Sequence, residues 1–226
     1  MERHFDEDLK LVKEKLIRMA SLVEESIAQS IQGLKEERED LPREVLRRED
    51  EVNRLDVEVD ALGMKLLALN QPMAVDLRFI SSVLRIGRDL ERMGDLAVNI
   101  AERTLDIIRF PGLKPLIDIP RMADAAQKMV RDSLTAFIEK DADLARDICR
   151  RDDEVDQLND QVFRELLTYM MQDPSSISRA VDLILVSRNL ERIADHATNI
   201  AEDVIYFVEG RTIKHHCEER IRKNPS

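Results

Sequence analysis

Tryptophan is absent from this chain of 226 residues, aromatic residues make up only 4%, and glycine occurs 6 times. Sandwiches and barrels need many short strands joined by glycine-rich turns, so this scarcity argues against both. Cysteine occurs 2 times, at Cys149 and Cys217, which is too few for a disulfide framework. No apolar run approaches the roughly 18–20 residues that span a bilayer. The opening MERHFDEDLK lacks the apolar core of a signal peptide, and a cytoplasmic location is the natural expectation. Positive charge is in deficit: 35 Lys and Arg face 46 Asp and Glu, for a net charge of −11. Such a chain has no general affinity for nucleic acid or anionic membranes. Cations, basic protein surfaces and plain solubility remain compatible with it.

What is present is charge, at 36% of residues, interleaved with regularly spaced Leu, Ile, Val and Met. That spacing points to long helices and separates the chain from disordered polar sequences. Prolines fall between or at the starts of the periodic segments, where they are tolerated. The pattern predicts six helices, over about 6–39, 42–69, 74–108, 120–139, 141–171 and 175–208, with Gly210 as the last C-cap. RFPGLKPLIDIP, from Arg109 to Pro120, reads as a linker. The expected fold is all-α: two tandem, pseudo-symmetric three-helix bundles, each packed up-down-up. Residues 1–110 form the first repeat, 111–120 the linker, 121–210 the second repeat and 211–226 a tail.

The repeat is written in the sequence. LERMGDLAVNIAE begins at Leu90 and LERIADHATNIAE at Leu190, identical at nine of thirteen positions. REDEVNRLD at Arg48 echoes RDDEVDQLN at Arg151, offset by 103, whereas Leu66–Leu67 echoes Leu166–Leu167 at 100. The shift implies a three-residue difference within the second and fifth helices, or a misalignment there. Two units of about one hundred residues follow from it.

On a helix turning about 100° per residue, Glu91, Asp95, Asn99 and Glu102 share one narrow stripe. Met93, Leu96, Ala97 and Ile100 face away from it. Glu191, Asp195, Asn199 and Glu202 repeat the stripe in the second unit. Upstream the same direction is apolar, with Leu77, Ile80 and Leu84 matched by Ile177, Ala180 and Ile184. Acids that continue an apolar seam need a partner. The second helix supplies Glu49, Asn53, Asp56 and Asp60 on one face, and the fifth supplies Asp152, Asp156 and Asn159. Asp60 corresponds to Phe163, where the match ends. Two readings stand side by side. One is a solvated acidic face, with salt bridges to Arg54 or Arg92. The other is an oxygen-rich site for a hard or borderline cation.

Other candidates are weaker. His215–Cys217 reads H-H-C but lacks a fourth zinc ligand and the usual spacing, so a terminal tail is the simpler reading. His196 points toward the core side, as a packed or hydrogen-bonded histidine. Cys149 reads as a small packed residue. There is no Walker A loop, G-x-G-x-x-G or G-x-S-x-G. Nor is there the paired Glu-x-x-His of a di-iron bundle, so no catalytic residue is assigned. A metal-dependent carboxylate-bundle enzyme or a metal store is the rival class.

The paired motifs, together with NQPMAVDLRFISSVLRIGRDLERMGD from Asn70 to Asp95, resemble the PhoU family of accessory regulators of bacterial phosphate uptake. The resemblance runs from the first helix to about Gly210. It implies a cytoplasmic, all-α protein of two three-helix bundles. Such a protein is not an enzyme. It works with the phosphate ABC transporter ATPase and a sensor histidine kinase as a negative regulator of the phosphate-starvation response, and self-association as a homodimer is compatible with it. The resemblance also implies an iron or zinc cluster bound through E/D-x-x-x-D motifs on neighbouring helices. Here these are Glu49/Asn53 with Glu91/Asp95, and Asp152/Asp156 with Glu191/Asp195. Asn53 departs from the pattern, since its carbonyl ligates without charge. Asn99, Glu102, Asn199 and Glu202 are further ligands or supporting contacts on this reading.

Overall fold

Six helices carry the predicted periodicity in the computed structural model, which describes residues 2–70, 72–113 and 116–212. They are α1 (Glu2–Glu36), α2 (Asp40–Asn70), α3 (Val75–Ile107), α4 (Asp118–Glu139), α5 (Ala142–Gln172) and α6 (Ile177–Glu209). A single 3-10 turn, Pro174–Ser176, joins α5 to α6. The described residues contain no strand, and no helix among them is long and apolar enough to cross a membrane.

The boundaries differ from expectation by a few residues, for local reasons. α2 and α4 each begin two residues before their proline, at Asp40 and Asp118. Pro42 and Pro120 thus sit in a first turn, where a missing N–H costs nothing. α4 therefore takes the last three residues of the expected linker. Asp141 caps α5, accepting from the backbone N–H groups of Asp143 at 3.0 Å and Leu144 at 2.9 Å. Such a cap is worth about 1 kcal/mol. α6 stops at Gly210 as expected, with φ +69°, a left-handed conformation that glycine adopts without steric cost.

The burial pattern places the three-residue change in repeat offset. Val45, Val52, Leu55 and Val59 are buried on α2, and Ile148, Val155, Leu158 and Val162 are their buried counterparts on α5 at a constant offset of 103. The helices keep step as far as Gly63 and Leu166, so the difference does not lie within that stretch. It lies between there and the motif in α3, which follows at 100: α5 ends one residue early and α6 begins two residues late relative to α2 and α3. At the next core position Gly63 stands opposite Leu166. A Cβ on Gly63 would lie 2.5 Å from Leu84 Cδ2, so Leu84 fills the space that Leu166 occupies in the second unit.

Within each unit the three helices pack on one another, and the units join chiefly through α3 and α6. These two run antiparallel. Arg78 Nε donates to the Phe207 carbonyl (3.3 Å), Arg85 pairs with Asp203 (2.9 Å), Asp89 meets His196 (2.7 Å) and Arg103 meets Asp182 (3.5 Å). A pseudo-dyad thus passes near Met93 and Ile193. At one end Phe79, Phe137 and Phe207, from α3, α4 and α6, cluster with ring centroids 5.6–5.9 Å apart. Half of the chain's 6 phenylalanines therefore lie at this junction, where offset and edge-on rings stabilise it beyond area burial.

Candidate functional site

Helix geometry places the first acidic group on α2 and α3. Glu49, Asn53 and Asp95 line a narrow crevice with Ser26, Val45, Val52, Gly94 and Val98. Glu91 lies one turn away. Burial first, then the nearby Asp95 and Asp56 carboxylates, push its carboxyl above the ordinary range, with Arg92 opposing. Asp56 is pushed up by burial and by Asp60, against Arg88 and Arg92. Arg92 reaches both stripe acids, with Nε 3.4 Å from Glu91 Oε2 and Nη1 3.4 Å from Asp95 Oδ2. Salt bridging by Arg92 is thus real. Arg54 instead pairs with Glu58, at 3.8 Å. The upstream seam is mixed: Ile80 is buried and Leu84 half-buried, but Leu77 is exposed.

The second group repeats the arrangement on α5 and α6. Burial, then Asp195, Asp156 and Asp160, raise the Glu191 carboxyl, and Arg188 opposes them. Asn159 Nδ2 donates to Glu191 Oε2 at 3.1 Å, and the Ser187 hydroxyl sits 2.9 Å from Asn159 Oδ1. Asp152 is half-buried on the same stripe of α5. Asp160 was missing from the expected set, although its spacing of i+4 from Asp156 marks it on the sequence.

The additional candidates do not all join these groups. Asn99 and Glu102 are exposed along α3. Asn199 turns to the seam between units, where its Nδ2 is 3.4 Å from Asp89 Oδ1, and Glu202 lies close enough to Asp203 to raise its carboxyl. His196 is hydrogen-bonded, as expected. Cys149 is half-buried against the core. His215–Cys217 lie outside the described residues.

Each group is all oxygen, part-buried and self-repelling, which is the chemistry a hard cation relieves. Among the described residues, no three or more His, Cys, Asp or Glu side chains are gathered closely enough to hold a metal ion as they stand. Ligation therefore requires the carboxylates to turn toward a common point.

Comparison with known proteins identifies this architecture. The PhoU domain model matches residues 16–104 and 119–204. A phosphate-specific transport system accessory protein PhoU homolog of Aquifex aeolicus (strain VF5) is 43% identical over 94% of this chain and 97% of its own. Its counterpart in Deinococcus radiodurans is 37% identical over 93% and 99%. The crystal structure of PhoU from Pseudomonas aeruginosa superposes with a TM-score of 0.89 at 38% identity, covering 92% of this chain and 100% of that one. The phosphate transport system regulatory protein PhoU from Streptococcus pneumoniae gives 0.84 at 26%, covering 93% and 99%. These relatives are named as accessory and regulatory proteins. With two matched domains spanning most of its length, this chain belongs to the PhoU family.

Proposed function

We propose that this chain is a cytoplasmic regulator that couples a phosphate ABC transporter to a sensor histidine kinase and holds the phosphate-starvation response off when phosphate is plentiful. The observation that carries this reading is near full-length similarity to proteins named as phosphate transport accessory proteins. The structure offers surfaces for such a role: two acidic faces on rigid helix pairs. Negative charge there attracts basic partner patches and makes association salt-sensitive. Deleting the gene and reading a starvation-responsive reporter tests the role. Expression at high phosphate should rise on deletion and fall on complementation. Unchanged expression contradicts it.

The repulsion at Glu91 and Glu191 favours a second element of the reading. Iron or zinc is held by Glu49, Asn53, Glu91 and Asp95, and by Asp152, Asp156, Glu191 and Asp195, with the fully acidic second set binding more tightly. A bound multivalent cation reverses the local field, so occupancy changes which partner the face accepts. Partner affinity that ignores metal would remove this element.

A further inference from the structure

The outer face of the α5–α6 hairpin changes character along its length. Asn159 is held against Ser187 and Glu191, which fixes the antiparallel register. Stepping outward along it sets Leu167 beside Val181 and Met171 beside Ile177, with Phe163 and Leu185 alongside. All six are exposed, Met171 at 80% and Val181 at 42%. In the other direction the same two helices present Asp156, Asp160, Glu191 and Asp195, with Arg188 beside Glu191, so an apolar half continues into a half that is acidic on balance. From Asp156 to Met171 the face runs about 22 Å at 1.5 Å per residue, the length of four helical turns.

The fold does not require apolar residues at all six positions. The first unit keeps apolar residues opposite Leu167, Met171 and Ile177, in Met64, Ala68 and Leu77, but has Asp60 for Phe163, Ser81 for Val181 and Arg85 for Leu185, and it builds the same bundle. A contiguous apolar patch that one repeat interrupts with polar and charged residues marks an interaction surface. The adjoining acids disfavour an anionic lipid surface as its occupant. Their sign and spacing suit a helix that is apolar on one side and basic at one end.

We propose that this face receives an amphipathic helix of a partner protein, with apolar side chains on Phe163, Leu167, Met171, Ile177, Val181 and Leu185 and Lys or Arg over the acids. The inference rests on the regulatory reading above and names the surface through which it works. The test uses the full chain, freed of metal by EDTA, and fluorescein-labelled overlapping 18-residue peptides covering the cognate transporter ATPase and the cytosolic part of the cognate kinase. Fluorescence anisotropy should find a basic amphipathic peptide that binds saturably. Leu167→Glu and Val181→Glu should each weaken it at least tenfold, and Asp160→Lys should weaken it and flatten its salt dependence. Met64→Glu, the first-unit counterpart of the Leu167 change, should leave it unchanged. Thermal melts confirm that the variants fold. The proposal is overturned if no peptide binds, if the best peptide is acidic, or if the variants bind like the wild type. It is also overturned if sedimentation shows the substitutions dissociating a homodimer instead. Intact partners that bind wild type and variants alike would overturn this face while leaving the regulatory role. Failure of wild type to bind either partner would remove the role itself.

Discussion

Asp89 on α3 and His196 on α6 meet at 2.7 Å, Oδ1 to Nδ1, and the pseudo-symmetric pair across the dyad is Asn189 with Leu96. At this position one half of the seam between units is thus ionisable and the other is not, although the other half carries its own ion pair in Arg103 and Asp182. His196→Leu leaves Asp89, whose side chain is only 16% exposed, with a single weak donor in Asn199. The expected cost is about 1–3 kcal/mol. The double variant Asp89→Asn/His196→Leu copies the other half and should regain part of that loss. Urea unfolding of the single and double variants measures the coupling. A double variant as unstable as the sum of its parts would show that the two side chains do not interact.

Asp203 lies on the same seam, paired with Arg85. Burial, then the charges of Asp89 and Glu202, raise its carboxyl from 3.8 to about 7 despite Arg85. Between those values the folded chain keeps a proton that the unfolded chain has released. Stability contributed at this site therefore falls as pH rises from about 4 to about 7 and is level above. The difference in unfolding free energy between wild type and Asp203→Asn should fall over that window. A difference independent of pH contradicts the assignment.

Gly63 faces Leu84 with no room for a Cβ. Gly63→Ala forces the Leu84 side chain aside, which should outweigh the roughly 1 kcal/mol that alanine adds to a helix interior and leave a net loss of about 1 kcal/mol or less, measured by thermal or urea unfolding. Leu84→Val in the same chain should return part of the loss by clearing the space. If Leu84→Val adds its own cost undiminished, the two positions are not in contact as described.

These positions show what the sequence reveals and what it does not. Helix number, the Gly210 stop and the two acidic stripes follow from period and local chemistry, which a single chain displays directly. The register of 103 that pairs Asp56 with Asn159 holds along α2 and α5 as far as Gly63 and Leu166, so the echo of Leu66 in Leu166 at 100 is a coincidence of two buried leucines one turn out of register. The shift is made up at the helix ends flanking the turn before α3, a stretch too short to show periodicity. His196 was legible as an inward-facing histidine, but its partner 107 residues away depends on α3 and α6 packing antiparallel. Nothing in either helix alone encodes that packing.

The acidic groups give opposite signs for stability and for metal. Glu191→Gln removes a carboxylate that burial and three neighbouring acids disfavour, so the metal-free chain should gain a few tenths of a kcal/mol at neutral pH. If the group holds a cation, Glu191→Ala/Asp195→Ala should lose it. Elemental analysis of untagged protein prepared without chelators reads this directly. Stoichiometric iron or zinc should be present in the wild type and absent from the variant. No metal in either protein leaves the stripes as docking charge alone.

The central claim is that this chain acts by binding the two membrane-associated partners of phosphate control. Its most direct test is association of the purified chain with the cognate transporter ATPase and with the cytosolic part of the cognate kinase, by pull-down and analytical ultracentrifugation at low and high salt. The account predicts a saturable complex with each partner that weakens as salt rises. No complex with either protein under any of these conditions would contradict it.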